Sequence, residues 1–256
     1  MISNQRAYES RKIVKHYATL NELQRPERTI LDQLAPTLGC MKMLDIGVGG
    51  GRTTSYFAPF VREYIGIDYS ASMIETCIAK FAVVHKHASF KVCDVRTMNG
   101  FAEDSFDFVL FSYNGIDSLS HVDRRLALKE IKRVVKDGGT FVFSTHNVGS
   151  IGNLRLVRAK TSPRGVYDRF VRNPLLLLLN ENFSQLQNQN YSTVRDGTHW
   201  FRLKNYYIKP SEQIRQLAEV GFTNTRAYHL NGTEIRDIIE SEPAVVDHWI
   251  YYSCNG

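Results

Sequence analysis

Asp45 is followed by glycines at positions 47, 49, 50 and 51, directly after the apolar run "MLDI". Glycine is the costliest residue to order on folding, so a cluster of this kind implies a backbone that something must approach closely. Two kinds of ligand compete for such a loop. A dinucleotide pyrophosphate asks for G-x-G-x-x-G/A, whose third small residue lets helix and strand pack tightly. Counting from Gly47, that third position is Arg52, which does not fit. The pattern that fits is Asp45-x-Gly47-x-Gly49-x-Gly51, an acid followed by glycines at every second residue.

The elements that must position this loop read as alternating strands and helices. "AYESRKIVKHYATL" and "PERTILDQLAPTL" look helical, and Pro26 suits a first helical turn. Met41 to Ile46 is a short buried strand ending at the glycines, followed by a helix over Thr53 to Val61. "REYIGID" is a second strand. Ser70 is the expected N-cap of "SASMIETCIAKFAVV", with Met73, Ile74, Cys77, Ile78 and Phe81 on one face. "SFKVCDV" and "SFDFVLFSY" follow as third and fourth strands. "HVDRRLALKEIKRVVKDGG" is an amphipathic helix stopped at Gly138–Gly139, and "TFVFSTH" is a fifth strand. This alternation implies right-handed crossovers and a doubly wound, mostly parallel α/β sheet. A helix in "SEQIRQLAEVGF" and strands in "TNTRAYHL" and "VVDHWIYYSC" complete seven strands.

Residues 148–206 break the rhythm. They are polar, rich in Asn and Gln, and too long for an ordinary connection, so a lid or small subdomain is expected there. The organisation expected is one domain over 1–256, with a helical cap over 1–40 and this insertion as the acceptor-binding part. From Ser150 to Lys209 there are ten Lys/Arg against three acids, which accounts for the whole formal charge of +6. Such an excess attracts an anionic partner or simply faces water. "NPLLLLLN" reads as a buried helix turn rather than a lipid contact. No apolar run approaches the ~20 residues needed to cross a bilayer. Cys40, Cys77, Cys93 and Cys254 have neither zinc-ligand nor disulfide spacing, so no metal is expected. With no apolar core of a signal peptide in "MISNQRAYESRK", a cytoplasmic setting is the expectation.

From Leu44 to His146 these stretches resemble the class I S-adenosylmethionine-dependent methyltransferases, which implies the Rossmann-like methyltransferase fold and S-adenosylmethionine as cofactor. In that family the glycine loop passes under the amino acid part of the cofactor, and the acid corresponding to Asp45 supports the loop and the ammonium. The resemblance implies Asp68 on the ribose hydroxyls, as two accepting oxygens facing two adjacent donors. It implies Tyr69 and Met73 beside the adenine, Asp94 toward its amino group, Val95 at its ring, and Ser112 at the end of the fourth strand. Tyr17 is expected to fold over the cofactor.

The methyl of such a cofactor is displaced in line by an acceptor lone pair. Alignment supplies most of the acceleration, and a base helps acceptors of high pKa. Strand ends supply the candidates: His146 first, then His121, with Tyr113 and Asp117 beside the same mouth. His199 and Trp200 are expected near the acceptor. The fourth strand runs into "SYNG" rather than the Asn/Asp-Pro-Pro-Tyr/Phe motif of amide and nucleobase methylation. A small-molecule acceptor methylated on O or N is therefore expected, with an anionic one as a secondary expectation and nucleic acid disfavoured. The alternatives are a non-catalytic cofactor-binding partner protein and, less favoured, a nicotinamide-dependent oxidoreductase.

Overall fold

Five parallel strands form the heart of the chain, a computed structural model that describes residues 9–155 and 163–256. β1 (Lys42–Ile46), β2 (Glu63–Asp68), β3 (Ala88–Val92), β4 (Phe106–Phe111) and β5 (Val135–Asn147) lie in the order β3-β2-β1-β4-β5. β8 (Thr223–Tyr228) and β10 (Trp249–Asn255) extend the sheet past β5, and β10 runs antiparallel to both neighbours. These are the seven strands expected. Among the described residues the sheet holds ten, because β6 (Tyr191–Val194), β7 (Asn205–Ile208) and the two-residue β9 (Glu234–Ile235) are added.

β1 and β4 are buried at nearly every position because both of their faces are covered, as in a sheet layered by helices on each side. One cluster joins Leu44, Ile65, Val109 and Phe141 to Leu128 and Ile131 of the His121–Val134 helix. The other joins Met43, Tyr64, Phe108 and Val142 to Ile30 and Leu31 of the Arg25–Leu38 helix. β1 pairs with β2 and β4 in parallel, so all three end at the same edge. Everything discussed below hangs on that edge.

Local expectations hold with four corrections. The helix after the glycines is a single turn, Thr54–Phe57. Ser70 precedes its helix, but its hydroxyl does not cap it: the Met73 and Ile74 N–H groups both meet the Ser70 carbonyl instead. The His121–Val134 helix stops four residues before Gly138, since Val135 already pairs with Phe106 as the start of β5. The insertion is not irregular. β7 joins the edge of β5, and Val148, Ile151, Leu176, Phe183, Leu186 and Val194 make a core of their own. The apolar spacing of that core is spread over short helices, which is why no long periodicity showed. Parts of the expected cap (1–8) and insertion (156–162) lie outside the described residues.

Candidate functional site

The glycine loop leaves β1 while still paired to β2, through Val48 N–H to the Ile67 carbonyl at 3.0 Å. Gly47 and Gly49 then take φ of +64° and +55°, conformations that cost a side-chain-bearing residue strain. This path carries the Gly49 N–H to Asp68 Oδ2 at 3.0 Å, while Asp68 Oδ1 accepts from Ser70 N–H at 2.9 Å. Asp68 thus staples the loop to the end of β2. The other glycines serve packing: a Cβ at Gly50 would strike the Tyr17–Ala18 backbone at 2.6–2.7 Å, and one at Gly51 would strike the Phe81 ring. Gly51 stays out of the cleft that Gly47, Gly49 and Gly50 line.

That cleft has a volume of about 560 Å³ and opens along the strand ends. Tyr17, Asp45, Asp68, Tyr69, Met73 and Val95 all border it. Asp94 borders it too, but its carboxylate is already chelated by Arg96 (Nη2 to Oδ2, 2.6 Å), and that hydrogen bonding holds its pKa below the ordinary value. Arg96 also reaches Asp123 at 2.9 Å. Sequence reading did not foresee this clamp. Tyr17 packs with Ile13, Met73 and Leu203, a small cluster that brings the Arg11–Thr19 helix and the insertion together. His199 lies 6.0 Å from the Tyr17 ring without lining the cleft, and Trp200 is exposed.

Asp45 is buried beneath the loop. Its Oδ2 accepts from Thr53 Oγ1 and from Tyr64 OH, both at 2.5 Å. Burial outweighs these bonds and pushes its pKa up to about 6 from 3.8. The folded chain therefore holds a proton that the unfolded chain releases, and stability is lost as pH rises through that window. We expect wild type to lose about 2 kcal/mol between about pH 4 and about pH 6 relative to Asp45→Asn. Urea titrations across that range check it; parallel curves for the two proteins would contradict it.

A second buried cluster stands where Arg52 disqualified the dinucleotide pattern. Arg52 makes a bidentate pair with Glu27, 2.6 Å for each contact, and Nη2 reaches Ser112 Oγ at 2.8 Å. Ser112 and Tyr251 both donate to Glu27 Oε1. Ser112 borders the cleft, yet its hydroxyl is committed to this cluster. Glu27 also accepts from the Gln24 N–H as a capping box, and that Q-x-x-E spacing is the one signal by which it could have been noticed.

The proton-transfer candidates separate. His121 and Tyr113 border the cleft; His146 does not. The His146 ring stacks on Tyr207 at 4.6 Å, and its Nδ1 and backbone N–H both meet Asp117 Oδ2 at 2.7 Å. Asp117 is fully buried and also binds Arg124 and Thr145. A histidine at a strand end was readable; that a buried carboxylate would draw it away from the cleft was not. His121 stacks on Tyr191 at 4.0 Å, with Nδ1 2.8 Å from the Tyr206 hydroxyl. Burial, then the Arg125 charge, lowers its pKa and favours the neutral ring.

The insertion adds Thr193, Arg195, Arg202 and Lys204 to the lining. Asp45 and Asp68 make no ion pair among the described residues, and neither do Arg195 and Arg202. The cleft is therefore polarised, with buried carboxylates from the strand ends and cations from the insertion in its lining. A cationic ligand rich in hydroxyls fits the carboxylates at the strand ends. No cluster of metal-binding type occurs among the described residues. None of their helices is long and apolar enough to cross a membrane.

Residues 44–143 match a family described as "Methyltransferase domain". An uncharacterized methyltransferase, YcgJ of Bacillus subtilis, is 36% identical over 113 residues, 41% of this chain and 40% of that protein. The stretches shared with the curated relatives span 28% to 53% of their lengths. A Mesorhizobium loti S-adenosylmethionine-dependent methyltransferase superposes with a TM-score of 0.62 at 16% identity, covering 90% of this chain and 98% of that one. The N-methyltransferase NodS of Bradyrhizobium japonicum, solved with S-adenosylhomocysteine, gives 0.54 at 14% identity, covering 96% and 97%.

Proposed function

We propose that the chain, whose residues 44–143 match a methyltransferase domain, belongs to the class I S-adenosylmethionine-dependent family and methylates an O or N atom of a small, anionic acceptor. The observation that carries this reading is the polarised cleft. Bound S-adenosylmethionine supplies a methyl group on a sulfonium. Asp68 would hold the ribose hydroxyls with the lone pairs its backbone contacts leave free, and Tyr69, Met73 and Val95 would pack the adenine. Asp45 would offset the ammonium charge through the loop, with Gly47 and Gly49 giving backbone access. Tyr17 and the Leu203 contact would exclude water from the cofactor end.

On the acceptor side, Arg195, Arg202 and Lys204 would bind a carboxylate or phosphate. His121 would take the acceptor's proton, being neutral at working pH and within the cleft wall. Tyr113, held at φ +55° with its ring over the Arg52 guanidinium at 5.0 Å, would shape the mouth. His146 becomes a positioning group tied to Asp117 rather than the base. The insertion would act as a lid, and four free thiols favour a reducing compartment such as the cytoplasm.

Methyl-labelled S-adenosylmethionine, offered with hydroxy and amino acids or phosphates and with their neutral esters, tests the proposal. Label is expected in the anionic member of each pair that reacts. In Arg202→Gln/Lys204→Gln, KM for that acceptor should rise about tenfold or more while kcat changes little. Equal labelling of the neutral ester, or an unchanged KM, would overturn the anionic assignment. Label in no pool despite cofactor binding would instead favour a silent binding protein.

A further inference from the structure

The run of helical turns from Pro163 to Leu179 keeps little of its apolar surface for the fold. It buries Gly165, Asp168 and Leu176, and leaves Val166, Phe170, Val171, Leu177 and Leu178 in water. The expected buried leucine turn is thus corrected: Leu176 alone is fully buried, Leu175 partly, and Leu178 is 79% exposed. Phe170 is 68% exposed and Trp200 70%, the latter edge-on to Tyr167 at 6.1 Å. Single exposed apolar residues need no explanation, but a set gathered on one segment does.

The same segment is basic. Arg164 and Arg169 are exposed within the helical run, and of the three acids between Ser150 and Lys209 two, Asp168 and Asp196, are buried. We propose that this face docks on an anionic phospholipid surface. Leucine, phenylalanine and tryptophan interleaved with arginine is the composition of an interfacial segment, whose apolar groups enter the acyl boundary while cations meet the headgroups. Arginine stems lie along apolar surface and extend their charge to the polar layer. Trp200 is two residues from Arg202, so docking would bring the acceptor wall of the cleft near the headgroups.

Flotation of the full chain with vesicles of phosphatidylcholine, with and without phosphatidylglycerol, tests this. Wild type is expected to float with the anionic vesicles, to release as salt rises, and to show a blue-shifted tryptophan emission that Trp200→Phe abolishes. Phe170→Ser/Leu178→Ser should reduce partitioning at least about tenfold while its melting midpoint and S-adenosylhomocysteine affinity stay at wild-type values. Folded wild type remaining with buffer in both vesicle types overturns the proposal. So does self-association without lipid that the same double substitution removes, since a second copy would then cover the face.

Discussion

Asp117→Ala is expected to cost about 3–5 kcal/mol of stability, the loss that follows when one member of a buried ion pair is removed. Asp117 and Arg124 have no exposed side-chain surface. One carboxylate oxygen accepts from Arg124 Nη1 at 2.7 Å and Thr145 Oγ1 at 2.6 Å, and the other from His146 twice. Arg124 also reaches Gln213 at 2.5 Å, and its guanidinium sits 4.9 Å from the Tyr206 ring centroid. Alanine would strand the guanidinium in that core and leave three further donors unpaired. The pair itself need not be stabilising against an apolar replacement, so Asp117→Leu/Arg124→Met should regain much of the loss. Guanidinium chloride titrations give the midpoints. A loss below about 1 kcal/mol for the single substitution would mean that Arg124 finds water, contrary to the packing described.

The parallel sheet was legible because β1, β2 and β4 are short runs dominated by apolar residues, each followed or ended by a polar or glycine residue, and such runs pack between covering helices. Asp45, Gly47, Gly49 and Asp68 were legible for a related reason. Their positions are set locally: the strand, the loop that leaves it and the strand beside it lie within 27 residues, 42–68. What escaped reading joins distant segments. Glu27 meets Arg52 and Tyr251, and Asp117 draws in Arg124 and His146, through spacings that no periodicity encodes. Arg195, Arg202 and Lys204 were visible only as charge. It took the pairing of β7 with β5 to bring them to the cleft. The leucine run misled because a five-residue apolar stretch carries no information about which side the fold will cover.

The proposal for the cofactor rests on Asp68, and the effect of Asp68→Ala on ligand affinity should be large. Its carboxylate is about nine-tenths buried, and that burial raises its pKa even though Ser70 and Gly49 donate to it. Alanine would remove the acceptor for the ribose hydroxyls and also release the Gly49 N–H, so the loop loses its staple as the ligand loses its anchor. Hydrogen bonds to a charged group contribute about 1.5–3 kcal/mol, which corresponds to a weakening of about 10-fold to 150-fold. The direct measurement is calorimetric titration of wild type and Asp68→Ala with S-adenosylhomocysteine, alongside NADH as the competing ligand. Saturable binding of the homocysteine nucleoside to wild type, weakened to that extent in the variant, with no heat from NADH, is the predicted result. Equal affinity in the two proteins, or binding of NADH in place of the nucleoside, would contradict the assignment.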